Sequence, residues 1–152
     1  MIHGVKIKKL RPYVDERGKL VVLLTREDAL FTKFGQVYIT TVNPGHAKAW
    51  HCHRQQTDNL ACIVGIARLA IYDDRKGSPT HGQVAEFLIG ENNPCLVQVP
   101  PGIYHGFESA TRNQAVVINI PDRVYCEKKP DEFRLPFNTD KIPFKWHASK
   151  GG

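Results

Sequence analysis

Short apolar segments alternate with polar residues and turn residues along most of this chain. The segments are rich in β-branched residues, and Gly, Pro, Asn or Asp interrupts them about every eight to twelve residues. This rhythm is typical of an all-β sandwich or barrel, in which short strands are joined by tight turns. Strands are predicted over residues 5–10, 18–24, 36–43, 48–53, 59–64, 66–73, 84–89, 94–99, 104–109 and 114–119.

Only one segment shows helix signals. Arg26–Phe34 follows Thr25, which suits a helix N-cap, carries Asp28 in its first turn and ends before a glycine. We therefore expect a helix that covers one end of the barrel. Residues 130–146 mix Pro, Asp, Asn and aromatic residues without periodicity, which predicts an ordered wrap over the barrel with room for one helical turn. Disorder is expected only at the ends, such as residues 147–152.

The length of 152 residues predicts a single domain that spans the whole chain. The barrel is expected over about residues 15–120 and the C-terminal wrap over about residues 121–146. With 41% hydrophobic and 24% charged residues, the composition is ordinary for a globular protein. A chain of this size can bury a sufficient core without disulfides or a structural metal.

The cysteines and the start of the chain indicate a cellular compartment. Cys52, Cys62 and Cys95 lie in apolar, strand-like surroundings, and no C-x-x-C spacing occurs, so reduced core thiols are expected. The first residues lack an apolar run long enough for a signal peptide, and no apolar stretch is long enough for a membrane span. The sequence therefore predicts a cytoplasmic protein without membrane contact.

The net charge of +6 and the isoelectric point near 9.2 indicate an anionic partner. Nucleic-acid-binding modules usually concentrate their basic residues on one helix or stripe, with aromatic residues between them. Here the basic residues are spread over both ends of the chain. A phosphorylated or nucleotide-linked small molecule is therefore expected rather than nucleic acid. The basic residues in question are Lys6, Lys8, Lys9, Arg11, Lys128, Lys129, Lys141 and Lys145.

A histidine motif lies between Gly45 and Gly65. His51 and His53 are two positions apart, so on a strand both imidazoles project from the same face, and Asp58 follows them. A second block, P-G-I-Y-H at residues 101–105, comes later in the chain. Together the two blocks resemble the signature of the cupin class. The resemblance implies a cupin-type double-stranded β-helix, a jelly-roll barrel, with these side chains at the barrel mouth.

Within that class, His51, His53, Asp58 and His105 form a candidate metal-ligand set. Three imidazoles and one carboxylate suit a single divalent iron, manganese, nickel or zinc ion. Asp58 stands where the class usually has a glutamate, and its side chain reaches less far. A metal-dependent cupin enzyme, either an oxygenase or a metal-assisted isomerase, is one alternative that follows from this set.

A longer resemblance covers about residues 15–146. It consists of D-E-R-G at residues 15–18, Gln36, Trp50-His51, D-R-K-G-S-P-T-H-G at residues 74–82, E-N-N at residues 91–93 and V-P-P-G-I-Y-H-G-F at residues 99–107. In this order, the strings resemble the dTDP-4-dehydrorhamnose 3,5-epimerase family. The resemblance implies a jelly-roll homodimer without metal or cofactor, which epimerises a nucleotide-linked 4-keto-6-deoxyhexose at C3 and C5 for polysaccharide synthesis.

The resemblance also implies roles for individual residues. A proton on a carbon next to a ketone is acidic enough for a histidine to remove it, provided that the enolate is stabilised. His51 corresponds to the family's catalytic base, and His53 and Tyr125 complete the expected catalytic set. The expected substrate-binding residues are Arg17, Gln36, Lys48, His105 and Asn119.

Several positions depart from the family pattern. Lys48 stands for an arginine and keeps its charge without its bidentate geometry. Asp58 or Asn59 occupies the place of a lysine, and the tyrosine that returns a proton on the opposite face falls near Asn119. The resemblance places the aspartate that orients the base in a C-terminal extension beyond the final tryptophan, here Trp146, and Asp58 or Asp140 is expected to substitute for it.

These departures leave several activities open. Epimerisation at C3 or C5 alone is compatible with one base. A 3,4-ketoisomerase would use His51 and His53 as a shared proton shuttle, with Tyr104 or Tyr125 nearby. A catalytically silent cupin that binds a sugar nucleotide, and the metal-dependent enzyme described above, are the further alternatives.

Overall fold

The structure, a computed structural model, describes residues 1–152 and contains strands, turns and loops without any helix. The strands are β1 (Lys6–Lys9), β2 (Pro12–Asp15), β3 (Gly18–Val21), β4 (Tyr38–Val42), β5 (His46–Cys52), β6 (Asp58–Val64), β7 (Ile66–Asp73), β8 (Val84–Gly90), β9 (Cys95–Val99), β10 (Ile103–Ser109), β11 (Ala115–Asn119), β12 (Phe133–Arg134) and β13 (Lys150–Gly151). Each predicted strand segment overlaps an observed strand, and the all-β class is confirmed. None of the chain's segments forms a helix that is long and apolar enough to cross a membrane.

Two antiparallel sheets make up the barrel. The first has the strand order β1-β9-β6-β11-β4, and the second has the order β12-β5-β10-β7-β8, with β13 added in parallel to β5. Strands β2 and β3 form a separate hairpin. Side chains from both sheets form the main apolar core, which includes Leu69 and Ile71 of β7 and Val97 and Val99 of β9. Removal of this apolar surface from water is the main driving force for closing the barrel.

The predicted helix over residues 26–34 is wrong. The segment forms turns instead, with backbone hydrogen bonds from Asp28 N–H to the Thr25 carbonyl (3.2 Å) and from Phe31 N–H to the Asp28 carbonyl (2.8 Å). The Asp28 carboxylate accepts hydrogen bonds from the Thr25 N–H and from Lys8 Nζ, both at 2.6 Å. Because Lys8 belongs to β1, a tertiary contact holds this segment and overrides its local helix propensity.

The C-terminal tail lies against β5 and contains no helical turn. Strand β12 pairs with the end of β5, and Leu135 and Trp50 exchange two backbone hydrogen bonds of 3.1 and 3.0 Å. Ile142, Phe144 and Trp146 then pack against Trp50 on the outer face of the second sheet. The tail thereby covers an apolar sheet face that would otherwise contact water.

The expectation of disorder over residues 147–152 is also wrong, because Glu108 binds this segment. The Glu108 carboxylate is buried and pairs with Arg68 at 2.7 Å. It also accepts the backbone N–H groups of His147 (3.2 Å) and Ala148 (2.8 Å). A buried charge needs such partners, so the tail and Glu108 stabilise each other. Strand β13 follows directly and pairs with β5.

The loop at residues 74–82, one of the family-like strings, has a structural role. Asp73, which is fully buried, accepts hydrogen bonds from Arg75, Ser78 and Thr80. Burial raises the pKa of Asp73, but these hydrogen bonds outweigh burial and hold the pKa well below its ordinary value. Arg75 also lies over Gly102, where a Cβ atom would come within 2.6 Å of the Arg75 Cγ. The glycine therefore lets β10 start close to this loop, which positions His105 three residues later.

Candidate active site

A cavity of about 1210 Å³ opens at one end of the barrel. Tyr38, Leu60 and Asn119 line it from the first sheet, whereas His51 and His105 line it from the second. Leu60 also belongs to the apolar core, so the core forms part of the cavity floor. The polar side chains that line the cavity are therefore arranged around a space that is open to solvent and touches the apolar core at Leu60.

His51 is arranged as a neutral base. Its Nδ1 donates a hydrogen bond to Glu132 Oε1 at 3.0 Å, which leaves the Nε2 lone pair free. Burial lowers the pKa of His51, the neighbouring His105 lowers it as well, and the hydrogen bond and charge of Glu132 raise it, so that the net pKa is about 4. A pKa below the ordinary value means that the imidazole is uncharged at neutral pH and is able to accept a proton.

Glu132 is the carboxylate that orients His51, and the expectation that Asp58 or Asp140 does so is wrong. Burial raises the pKa of Glu132, but its hydrogen bonds with Arg134 and His51 outweigh burial, so the group stays ionised. Strand β12 brings it there, because Arg134 pairs directly with His51 across the sheet. A two-residue strand has no detectable hydrophobic period, so the sequence offered no signal for this contact.

His53, Asp58 and His105 form a second cluster, which lies beside the first. Asp58 Oδ2 is 3.3 Å from Nε2 of each histidine. The other ring nitrogens face backbone carbonyls, with His53 Nδ1 bound to the carbonyl of Asp131 and His105 Nδ1 to that of Ile103 at 3.4 Å. Since a carbonyl only accepts, both Nδ1 atoms carry protons. Two Nε2 lone pairs would then face a carboxylate oxygen unless a proton or a metal cation lies between them.

The second cluster could hold a metal ion, although with fewer ligands than expected. The ligand atoms of His53, Asp58 and His105 lie within 4.8 Å of one another, and His51 is not part of this group. The predicted four-ligand set is therefore reduced to three. Burial raises the pKa of Asp58, but its interactions with His105 and His53 outweigh burial, and the pKa is lowered overall. The carboxylate therefore stays ionised and can bind a cation.

The predicted substrate-binding residues are not all brought together. Lys48 lines the cavity, and its Nζ donates to Thr40 Oγ1 at 2.8 Å. Gln36 lies at the rim, where its Oε1 accepts the backbone N–H of Tyr125 at 3.2 Å. Arg17 is outside this cavity: it lies in the β2–β3 turn, has a side chain that is 84% exposed, and pairs with Asp15 at 2.6 Å.

Asn119 connects the cavity wall to the second cluster. Its amide group donates to Asp58 Oδ1 at 2.7 Å and to the Tyr38 hydroxyl oxygen at 2.8 Å, and its carbonyl oxygen accepts the Asn59 N–H at 3.0 Å. Sequence reasoning missed Tyr38. Its position in the predicted strand over residues 36–43 could have indicated it, because Tyr38 is two residues after the candidate residue Gln36 and so projects from the same face of a strand.

The cavity rim is basic and partly aromatic. Two of its carboxylates are bound to backbone N–H groups: Asp122 accepts from Thr57, and Asp131 accepts from three successive residues that begin at Arg54. The Arg54 guanidinium lies over the Phe133 ring at 4.2 Å. Positive side chains outnumber negative ones, which suits a ligand that carries phosphate. The basic lining residues are Lys33, Lys48, Arg54, Arg123, Lys129 and Arg134.

Fold and cavity together define a cupin-type jelly-roll protein with a histidine–carboxylate pair in its pocket. The chain belongs to the dTDP-4-dehydrorhamnose 3,5-epimerase family, because the sequence model of that family matches residues 1–151. The family predicted from the sequence is therefore confirmed, as is the jelly-roll fold.

Individual relatives agree with this assignment. The spore coat polysaccharide biosynthesis protein SpsL of Bacillus subtilis is 35% identical over 148 residues, which are 97% of this chain and 98% of SpsL. The probable low-salt glycan biosynthesis epimerase Agl13 of Haloferax volcanii is 35% identical over 153 residues, which are 99% of this chain and 98% of Agl13. The crystal structure of a dTDP sugar isomerase from Desulfovibrio desulfuricans G20 has a TM-score of 0.90 and 31% identity, and the match covers 95% of this chain and 92% of that one.

Proposed function

We propose that this protein is an epimerase of a dTDP-linked 4-keto-6-deoxyhexose in the synthesis of a glycan or polysaccharide. The observation that carries the proposal is the neutral His51 in the cavity, with Glu132 on its Nδ1 and a free Nε2. Family membership and the names of the two relatives, which refer to polysaccharide and glycan biosynthesis, support the same activity.

The proposed reaction begins with proton removal by His51. Nε2 accepts the proton from a carbon next to the ketone, and the negative charge of Glu132 stabilises the imidazolium that forms. The ketone oxygen becomes an enolate oxygen, which requires a positive or hydrogen-bonding group. Lys48 and His105 line the same cavity and are proposed for this role. Because the reaction moves only protons, we propose that it uses no cofactor.

The basic rim is proposed to hold the nucleotide. A diphosphate carries several negative charges, and Arg54, Arg123 and Lys129 would face it from the cavity edge. Tyr125 is 55% exposed at the rim and offers a ring for the nucleobase. The role of Tyr125 proposed here is therefore substrate binding at the cavity edge, while His53 belongs to the Asp58 cluster.

A homodimer is proposed as the working form, in the cytoplasm. The β2–β3 hairpin exposes the cross-strand pair Tyr13 and Leu20, each more than half accessible, and adjoining exposed apolar side chains are unusual on a monomer surface. A second copy of the chain would cover them. In such a dimer, Arg17 at the turn of this hairpin would lie near the partner subunit. We therefore propose that Arg17 makes its predicted phosphate contact only in the dimer.

The proposed function is tested by incubating the protein with dTDP-4-keto-6-deoxy-glucose in deuterium oxide and following the sugar by NMR. We expect deuterium at one or both carbons next to the ketone, together with signals of an inverted sugar. A 3-keto product would instead identify a ketoisomerase. Tight nucleotide binding without deuterium incorporation would contradict the proposal and identify a catalytically silent binding protein.

A metal-assisted isomerase is the second candidate, and the cluster of His53, Asp58 and His105 is the observation that favours it. A divalent ion held there would supply positive charge for an enolate oxygen. Elemental analysis of protein purified without chelators or a histidine tag is the test. We expect far less than one metal ion per chain. Iron, manganese, nickel or zinc near one ion per chain, lost together with activity in Asp58→Asn, would favour the second candidate.

A further inference from the structure

Tyr38 and Asn119 form a directly opposed pair at the cavity wall. Tyr38 begins β4, Asn119 ends β11, and the two residues are partners in the antiparallel register. Asn119 is buried, and its side chain makes three hydrogen bonds. Its carbonyl oxygen accepts the Asn59 N–H, and its NH₂ group donates to Asp58 and to the Tyr38 hydroxyl oxygen. The amide is therefore held in one orientation, with its NH₂ group towards the phenol. This contact fixes the position of the Tyr38 hydroxyl group.

The phenolic proton of Tyr38 is not used within the protein. In the bond with Asn119, the tyrosine oxygen is the acceptor, and its own O–H donates to no other protein group. Burial raises the pKa of Tyr38, the Asn119 hydrogen bond partly opposes this effect, and the charges of Asp58 and Glu132 raise the pKa further. The phenol therefore keeps its proton at neutral pH. Tyr38 also lines the cavity and retains 41% of its surface accessible, so a ligand there can reach it.

Tyr38 and His51 face the cavity from different sheets. Tyr38 belongs to the sheet β1-β9-β6-β11-β4, and His51 belongs to the sheet that contains β5 and β10. Both line the same cavity. A sugar bound between the two sheets would thus have a neutral base on one side and a protonated phenol on the other. Inversion at a carbon needs this arrangement, because the proton must leave one face and return to the other.

We propose, on the basis of the epimerase function proposed above, that Tyr38 is the catalytic acid that protonates the substrate carbon on the face opposite His51. His51 Nε2 takes the proton from the carbon, and the C–H electron pair forms the enolate. The enolate carbon then takes the proton of the Tyr38 O–H, which forms the new C–H bond and leaves a phenolate. Asn119 donates a hydrogen bond to this phenolate. Solvent then returns a proton to Tyr38 and removes one from His51, so no oxidant or reductant is required.

The test separates proton removal from inversion in Tyr38→Phe. With dTDP-4-keto-6-deoxy-glucose in deuterium oxide, we expect the variant to form inverted sugar at least about 100-fold more slowly than the unmodified protein, because a positioned acid typically contributes that much. Deuterium incorporation with retained configuration should stay within about threefold, because His51 can remove and return a proton by itself. Tyr104→Phe is the matched control. Tyr104 lies outside the cavity lining, beneath Lys141, and its hydroxyl group makes no hydrogen bond.

Each other outcome has a separate meaning. Inversion by Tyr38→Phe at the rate of the Tyr104→Phe control would overturn the role of Tyr38 alone. An equal loss of exchange and inversion would also overturn it, since Tyr38 would then affect binding or His51. If the unmodified protein neither exchanges nor inverts the sugar, the epimerase function itself fails, and the assignment of Tyr38 fails with it.

Discussion

His51→Asn is expected to reduce epimerisation of dTDP-4-keto-6-deoxy-glucose at least about 1,000-fold, because the variant loses the group proposed to remove the proton. Asparagine cannot accept a proton at neutral pH, whereas the neutral imidazole of His51 can. Deuterium exchange at the carbon next to the ketone should fall by the same factor. NMR in deuterium oxide measures both quantities in a single sample.

Binding of dTDP should be nearly unchanged in this variant. The basic residues proposed for the diphosphate, among them Arg54 and Arg123, lie at the cavity rim and do not depend on His51. Isothermal titration with dTDP is the measurement, and a change of less than about threefold is expected, since catalytic groups often contribute little to ground-state binding. If dTDP binding is lost with turnover, His51 is a ligand contact, and its assignment as the base is wrong.

Glu132→Gln is expected to lower kcat/KM by about 100- to 1,000-fold, because a carboxylate that orients a histidine base also stabilises its imidazolium. Glutamine can still accept the Nδ1 proton, but it lacks the negative charge that raises the pKa of His51 in the present structure. The variant's base is therefore weaker at every pH.

The unmodified protein should keep its kcat/KM from pH 8 down to about pH 5, because burial holds the pKa of His51 near 4 and the imidazole stays neutral over that range.

Asp140→Asn is the matched control for Glu132→Gln. Asp140 is exposed, makes no hydrogen bond through its side chain, and was the carboxylate that sequence reasoning offered for the same role. Its removal should leave kcat/KM unchanged. Activity of Glu132→Gln equal to that of the control would show that His51 works without this carboxylate. A fall in kcat/KM of the unmodified protein near pH 6.5 would instead show that burial does not depress the pKa of His51.

Secondary structure was predicted correctly from the sequence where neighbouring residues determine it. Strand β7 was predicted at its observed bounds, Ile66–Asp73, because turn residues flank a mostly apolar run. The helix over residues 26–34 failed because Lys8, a residue distant in sequence, binds Asp28. Secondary structure was therefore predicted well where neighbouring residues determine it, and poorly where a contact from another strand does.

The sequence by itself determined the all-β class, the positions of most strands, the family and the candidate base His51. All of these follow from periodicity or from short strings of residues. Only the tertiary structure decided which groups contact that base and which groups line the cavity wall beside it. Glu132 is 81 positions from His51, and Tyr38 is 81 positions from Asn119. Such contacts depend on how strands that are distant in the chain pair, and the residues next to each group do not determine that pairing.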